Sequence, residues 1–159
     1  MRLNIIRGIL IVLLMGTFYI IFSFSSQDST ESTGISMRVS ETIINITRKG
    51  ESQEVKYQLA KNIEPIIRKL AHFSIYTLVG FLLMSLVSTY NLTLKKRILI
   101  SLIAGFLYAC SDEIHQLFVS GRSGEIRDVL IDTSGVLVGS LICLGIVTLW
   151  RKYKLKSSE

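Results

Sequence analysis

The sequence predicts an all-α, polytopic integral membrane protein whose four transmembrane helices form a single domain over residues 1–159. Of the 159 residues, 49% are hydrophobic and only 19% are charged, whereas soluble domains carry about a quarter charged residues. The apolar residues are gathered into four runs, at about 5–24, 66–90, 98–119 and 129–150. At about 1.5 Å per residue, some 20 helical residues cover the roughly 30 Å hydrocarbon core of a bilayer.

The first run has Arg7 as its only charge between residues 5 and 24. A cleaved signal peptide is the alternative, because Arg2 and Arg7 resemble the charged start of such a peptide. The run is long for that, and the residues from Phe22 to Ser26 make a poor cleavage site. We therefore expect a retained transmembrane helix.

Residues 25–64 form a polar segment with apolar residues at helical spacing. One set consists of Ile35, Val39, Ile43 and Ile46, and a second of Val55, Leu59, Ile63 and Ile66. This periodicity predicts one or two amphipathic helices at the membrane surface. A partly ordered polar loop is the alternative, because the segment is rich in Ser and Thr.

The remaining runs differ in polarity. Pro65 is suited to the first turn of a helix, so the second span is expected to begin beside it. The third span is purely apolar only over residues 98–110, so it crosses a membrane only if it includes the polar residues 111–116. A loop over residues 120–127 then leads into the fourth span.

The distribution of basic residues predicts the orientation of the chain. Nine of the 18 Lys and Arg residues lie in the N-terminus, the 91–97 turn and the C-terminal tail. Since basic residues stay on the cytoplasmic side, both termini are expected inside, with segments 25–64 and 120–127 outside. The net charge of +6 then reflects orientation, and we expect no nucleic-acid partner.

Depth along each helix places several polar residues at one level. His72, His115 and Asp132 each lie 18 residues from the inner end of their predicted span, which is about 27 Å. Asp112 and Glu113 lie about one turn deeper. Because a charged group in hydrocarbon costs roughly 2.5–3.5 kcal/mol on insertion scales, these groups should face one another or a water-filled cleft.

Residues at helical spacing from these polar groups complete a candidate ligand-binding set near the outer leaflet. The set consists of Lys69, His72, Tyr76, Asp112, Glu113, His115, Gln116, Arg122, Asp128 and Asp132. Its catalytic candidates are His72, Asp112, Glu113 and His115, and Asp112, His115 and Asp132 could hold a divalent metal. Simpler interpretations stay open for some members: Lys69 and the adjacent Arg68 could extend to the interface, and Asp128 could cap the fourth helix. The fourth helix also carries Gly135 and Gly139, a spacing that allows close helix approach.

Several motifs resemble the VanZ-like membrane protein family. They are Phe22-Ser-Phe-Ser-Ser-Gln27, Arg68-Lys-Leu-Ala-His72-Phe-x-x-Tyr76, Ser111-Asp-Glu-Ile-His-Gln-Leu-Phe118, Gly121-Arg122, and Asp128-x-x-x-Asp132-x-x-Gly135-x-x-x-Gly139. Ser120 and Asp132 depart from the family pattern, in which Pro and Asn are frequent at these positions. The resemblance implies a multi-pass protein of the bacterial cytoplasmic membrane, with low-level teicoplanin resistance in Gram-positive bacteria as the associated function.

Three functional hypotheses follow. The leading one is a non-enzymatic envelope protein whose outer-leaflet pocket engages an amphiphile, such as a lipid-linked cell-wall precursor or a lipoglycopeptide, with Lys69 and Arg122 pairing an anionic head group. The second is a metal-assisted hydrolase or transferase acting on a lipid-linked phosphate, with His72 as general acid or base. The third is a non-catalytic scaffold in which the polar cluster only fixes helix packing. The leading hypothesis requires no cofactor.

Overall fold

The computed structural model describes residues 1–156, and in this range the chain forms five helices and no strands. They are α1 (Arg2–Ser25), α2 (Ser29–Thr47), α3 (Gln53–Val87), α4 (Leu94–Gln116) and α5 (Ile126–Lys156). By length and composition, α1, α3, α4 and α5 are able to cross a membrane. The prediction of an all-α protein with four spans is therefore confirmed. The predicted domain also includes residues 157–159, which lie outside the described residues.

Helix α3 is much longer than the sequence predicted. It begins after the N-cap Ser52 and includes Pro65 in its interior, so the expectation that Pro65 starts the helix is wrong. The lost N–H of Pro65 leaves the Lys61 carbonyl without its intrahelical donor, but the helix continues through the proline. Ala60 and Glu64, just before the proline, are buried. With 35 residues, α3 is about 52 Å long and exceeds a hydrocarbon core of roughly 30 Å.

Helix α2 packs against the first half of α3 and forms a helical hairpin with it. Its N-cap, Asp28, accepts a hydrogen bond from the backbone N–H of Glu31 at 2.8 Å. The buried face of α2 consists of Ser36, Ser40 and Ile44, and the Ser36 hydroxyl donates to the buried Glu64 carboxylate. The prediction of helices within residues 25–64 is confirmed. The apolar positions that predicted α2 stand on its exposed face: Ile35, Val39, Ile43 and Ile46.

Helices α3 and α5 approach closely at glycines. A Cβ at Gly135 would lie 2.6 Å from the Phe73 carbonyl oxygen, and one at Gly139 would overlap the Thr77 carbonyl oxygen. Gly80 of α3 faces the backbone of α5 in the same way. The close approach predicted from the glycine spacing is confirmed, and it fixes the rotation of α5 that turns Asp132 inward.

Helix α1 is attached at both ends of the bundle. Near its start, Arg7 donates to the Thr89 carbonyl at 2.8 Å, in the turn between α3 and α4. Further along, the Tyr108 hydroxyl donates to the Phe18 carbonyl at 2.8 Å. Its last turn reaches the loop over residues 117–125, which we call the α4–α5 loop. The first residue of α2 also lies there, since the Ser29 N–H donates to the Ser120 carbonyl at 3.3 Å.

Helix α4 overlaps most of the predicted third span but is shifted by three to four residues toward the N-terminus. It begins at Leu94 and ends at Gln116, whereas residues 98–119 were expected. Thr93 caps its start by accepting from the Lys96 N–H at 3.5 Å, so the basic residues expected in a turn occupy the first helical turn. The polar residues 111–116 are all helical, as the prediction required.

Candidate functional site

Three helices bring one histidine and two aspartates together. His72 of α3, Asp112 of α4 and Asp132 of α5 each offer a ligand atom, and the three atoms lie within 4.8 Å of one another. His72 Nδ1 lies 3.9 Å from Asp132 Oδ2. The buried Tyr76 hydroxyl donates to Asp112 Oδ2 at 3.3 Å. The convergence that the depth argument predicted is therefore present for these residues, which we call the His–Asp cluster (His72, Asp112, Asp132).

Asp132 is the most deeply buried member of the His–Asp cluster. It is 0% exposed, and neither of its carboxylate oxygens has a hydrogen-bond partner. Asp112 is 4% exposed. Two buried carboxylates facing one imidazole carry more negative charge than the imidazole can balance, and burial makes such an imbalance costly. The arrangement favours a bound cation or a bound proton.

His115 lies outside the His–Asp cluster. Its ring packs against Phe22 of α1, with ring centroids 4.7 Å apart, and its buried Nδ1 has no hydrogen-bond partner. The expected metal-ligand set of Asp112, His115 and Asp132 is therefore not assembled, and His72 supplies the nitrogen instead. The neighbouring Gln116 also faces α1, where its amide donates to the Ser25 hydroxyl at 3.4 Å.

Glu113 connects α4 to the α4–α5 loop. Its Oε2 accepts a hydrogen bond from the backbone N–H of Glu125 at 2.8 Å, while its buried Oε1 has no partner. The carbonyl of Glu113 is also in close contact with Gly124. The candidate residue Glu113 thus holds the loop rather than joining the His–Asp cluster.

Lys69 is already neutralised by acidic residues at the start of α5. Its Nζ lies 2.6 Å from Asp128 and 3.8 Å from Glu125. The expected pairing of Lys69 with an anionic ligand would have to compete with both carboxylates. Asp128 in turn is an ion-pair partner in the first turn of α5, where an acidic side chain also complements the helix dipole.

Two cavities adjoin beside these residues. A polar one of about 90 Å³ is bounded by α3, the α4–α5 loop and the start of α5. A mainly apolar one of about 300 Å³ lies between the end of α1, the first half of α2, and α3, with Ile21, Ile35 and Ile75 in its wall. Arg68, His72 and Arg122 line both cavities. The boundary between the polar and the apolar space is therefore cationic.

Arg68 and Arg122 are basic groups without acidic partners in the described part of the chain. No ion pair there joins either guanidinium to a carboxylate. Arg122 donates to the Phe24 carbonyl at 3.2 Å, and its buried Nε has no partner. Burial lowers the pKa of the Arg122 guanidinium, and the nearby charge of Arg68 lowers it further. An anion bound between the two guanidinium groups would stabilise the charge of both.

Arg68 was missing from the predicted ligand-binding set. The sequence offered one signal for it, because Arg68 precedes His72 by four residues and so shares its helix face. Its position near the predicted start of a span made an ordinary interfacial side chain an equal interpretation. The structure places it in the wall of both cavities instead.

Comparison with known proteins agrees with the motifs that form this site. The family model described as VanZ/LLP1 matches residues 10–150. No curated protein and no solved structure matches the chain. The matched region includes the central parts of all four apolar helices. It also includes the His–Asp cluster and the two arginines that line the cavities. The chain is a membrane protein of the VanZ/LLP1 family.

Proposed function

We propose that this protein binds an anionic amphiphile at the outer boundary of the bacterial cytoplasmic membrane. The head group lies between Arg68 and Arg122, and the hydrocarbon part enters the apolar cavity. The observation that carries the proposal is the sharing of both arginines by a polar and an apolar cavity. An amphiphile is the class of ligand that meets both environments at once.

The orientation predicted from the basic residues supports an outer position for this site. The α4–α5 loop and the site lie at the end of the bundle opposite the turn between α3 and α4. That turn, the first residues of α1 and the end of α5 carry the excess of basic residues. The bias of Lys and Arg toward the cytoplasm therefore favours a site that opens toward the outer leaflet.

The size and charge of the cavities favour a lipid-linked anion. A volume of about 300 Å³ is at the lower end of the range for ligand pockets, about 300–1,000 Å³. It would take one hydrocarbon segment while the rest of the chain stays in the bilayer. Two guanidinium groups match the oxygens of a phosphate, because each can donate two parallel hydrogen bonds. Lipid-linked cell-wall precursors and lipoglycopeptides both combine a hydrocarbon chain with a polar head group.

Binding of a fluorescent polyprenyl phosphate to the full-length protein in nanodiscs tests the proposal. We expect Arg68→Gln and Arg122→Gln each to weaken binding about tenfold or more, the loss of a hydrogen bond to a charged group. Arg38→Gln on the exposed face of α2 is the control and should bind like wild type. The matching polyprenyl alcohol should bind weakly. Equal binding of phosphate and alcohol, or wild-type binding by both arginine variants, would contradict the proposal.

We further infer a contribution to glycopeptide resistance, which rests on membership of the VanZ/LLP1 family. Deletion of the protein should increase susceptibility to a lipoglycopeptide more than to a glycopeptide without a lipid chain. Complementation with Arg122→Gln should fail while the Arg38→Gln protein restores resistance. If both drugs were affected equally, the apolar cavity would have no part in the resistance. A purely scaffolding protein would show the susceptibility change only where the variant is also lost from the membrane.

A further inference from the structure

We propose that His72, Asp112 and Asp132 form a binding site for one divalent first-row metal ion, such as Zn²⁺ or Mn²⁺. The site lies inside the helix bundle, beside the cavities of the proposed amphiphile site. Cation binding does not depend on that proposed function, and it can be measured without any amphiphile.

The geometry is close to that of a three-ligand metal site. Nitrogen and oxygen ligands lie about 2.0–2.2 Å from Zn²⁺, so two ligand atoms of one tetrahedral ion are about 3.3–3.6 Å apart. The three atoms of the His–Asp cluster lie within 4.8 Å of one another, and His72 Nδ1 is 3.9 Å from Asp132 Oδ2. Side-chain rotations that shorten these separations by up to about 1.5 Å would bring the three atoms to one ion.

The unpartnered Asp132 carboxylate supports a cation site independently of the distances between the three ligand atoms. Its side chain is 1% exposed, and both oxygens are buried without a hydrogen-bond partner. Buried polar groups are normally satisfied, and a buried carboxylate in particular is paired or coordinates a metal. Its ion-pair partner is His72, whose Nδ1 lies 3.9 Å from Asp132 Oδ2 and which is charged only when protonated. A cation would satisfy both oxygens and balance the second carboxylate, that of Asp112.

Lys69, Arg68 and Arg122 form no ion pair with Asp112 or Asp132. Lys69 is paired with Asp128 and Glu125 instead, and the Arg122 guanidinium donates to the Phe24 carbonyl. Tyr76 is placed to support a bound ion, because its hydroxyl holds one oxygen of Asp112 at 3.3 Å. Such outer hydrogen bonds orient metal-binding carboxylates.

The donor set selects the class of cation. One imidazole nitrogen and two carboxylates suit divalent first-row metal ions, Zn²⁺ through the imidazole and Mn²⁺ through the carboxylates, whereas Mg²⁺ and Ca²⁺ prefer oxygen donors alone. Three protein ligands leave at least one coordination position for water or a ligand. His72 lines both cavities, so the ion would be reached from them.

Metal analysis of the full-length protein in nanodiscs tests the site. After removal of metal and addition of Zn²⁺ or Mn²⁺, we expect about one equivalent of cation and a rise in the unfolding temperature. His72→Gln and Asp132→Asn should lose both. The matched controls are His115→Gln on α4 and Asp128→Asn, one turn before Asp132, and they should still bind the cation. Tyr76→Phe should weaken binding roughly 10–100-fold without abolishing it.

The controls also separate a lost site from a lost fold. Asp132→Asn removes an unpaired buried charge, so the metal-free variant should unfold at or above the temperature of the metal-free wild type. Absence of a stoichiometric cation and of any thermal shift in the wild type would overturn the proposal. So would unchanged cation binding in both His72→Gln and Asp132→Asn. Loss of binding in His115→Gln alone would move the site to the face of α4 toward α1 and overturn the assignment.

Discussion

The carboxylate of Glu113, in the last turn of α4, accepts a hydrogen bond from the backbone N–H of Glu125, one residue before α5 begins, at 2.8 Å. Since this N–H lies at the entry of α5, the bond connects the two ends of the α4–α5 loop. The loop carries Arg122, so the contact also fixes one wall of both cavities. A glutamate in a membrane span thus has a structural reason to be there.

We expect Glu113→Ala to lower the free energy of unfolding by about 1–3 kcal/mol, because it leaves a donor without its acceptor. Glu113→Gln should lose much less, since the amide oxygen can accept the same N–H. Equilibrium unfolding in detergent measures both. Glu51→Ala, an exposed position between α2 and α3, is the control. Equal losses in the Ala and Gln variants would show that the hydrogen bond is not the cause.

Gly139→Ala should destabilise the bundle, whereas Gly145→Ala should not. A Cβ at Gly139 would overlap the Thr77 carbonyl and lie 2.7 Å from the Phe81 nitrogen, but one at Gly145 would meet no atom within 4 Å. Alanine in an open helical position should even be favourable by up to about 1 kcal/mol. The unfolding temperatures of both variants in detergent provide the measurement. Similar values would mean that α3 and α5 tolerate a wider separation.

The ion pair of Lys69 and Asp128 should show a favourable coupling free energy of about 1 kcal/mol. Its side chains are 32% and 29% exposed, so solvent screens the attraction only in part. A double-mutant cycle with Lys69→Met and Asp128→Asn gives the coupling from four unfolding free energies. Because Glu125 lies 3.8 Å from the same lysine, the cycle should be repeated with Glu125→Gln. A coupling free energy near zero would mean that Asp128 and Glu125 stabilise α5 only through its helix dipole.

The proposed orientation predicts which loops are accessible from outside the cell. In a background with Cys110→Ser and Cys143→Ala, a cysteine at Ser123 should react with a membrane-impermeant maleimide in intact cells. A cysteine at Asn91 should react only after lysis. Both native residues are exposed, so burial does not explain a difference. The reverse labelling pattern would place the cavities on the cytoplasmic side and contradict the proposed function.

The cap of α2 should make the first turn of this helix sensitive to acid. Hydrogen bonds from the Glu31 N–H and then from Thr30 hold the pKa of Asp28 below its ordinary value of 3.8. A lowered pKa means that the cap contributes its full stability above pH 3.8, and that this is lost as the pH falls through the folded-state pKa. The protection factor of the Glu31 amide, which corrects for the slower intrinsic exchange in acid, should therefore fall as the pH drops below 3.8. In Asp28→Asn, a cap of similar strength without a charge, this loss of protection should be absent.

The level of His72 and Asp132 along the helix bundle could be predicted from the sequence, whereas the rotation of α4 about its axis could not. A constant rise per residue placed His72, His115 and Asp132 at one level. His115, however, is three residues from Asp112, and three residues turn an α-helix through about 300°, which leaves it about 60° away. That difference points His115 at Phe22 of α1. Choosing between the two histidines required the packing of α1 on α4, which no local pattern encodes.

The basic residues of the site show the same limit. The adjacent Arg68 and Lys69 could not be distinguished by composition or depth, and only Lys69 was included in the predicted set. Their positions differ by 100° around α3, which brings Lys69 to the acids of α5 and Arg68 to the cavities. The ion pair between Lys69 and Asp128 joins residues 59 positions apart in the chain, so no local pattern encodes it.

Pro65 divides α3 into two segments that differ in what they pack against. The helix is continuous from Gln53 to Val87, but at the proline it lacks the backbone hydrogen bond that would reach the Lys61 carbonyl. Bending of a helix is easiest where a bond is already missing. The residues before this turn belong to the hairpin with α2, and the residues after it form one wall of the apolar cavity. Helix α3 should therefore bend most easily at the turn around Pro65, which lies between the α2–α3 hairpin and the membrane-spanning bundle.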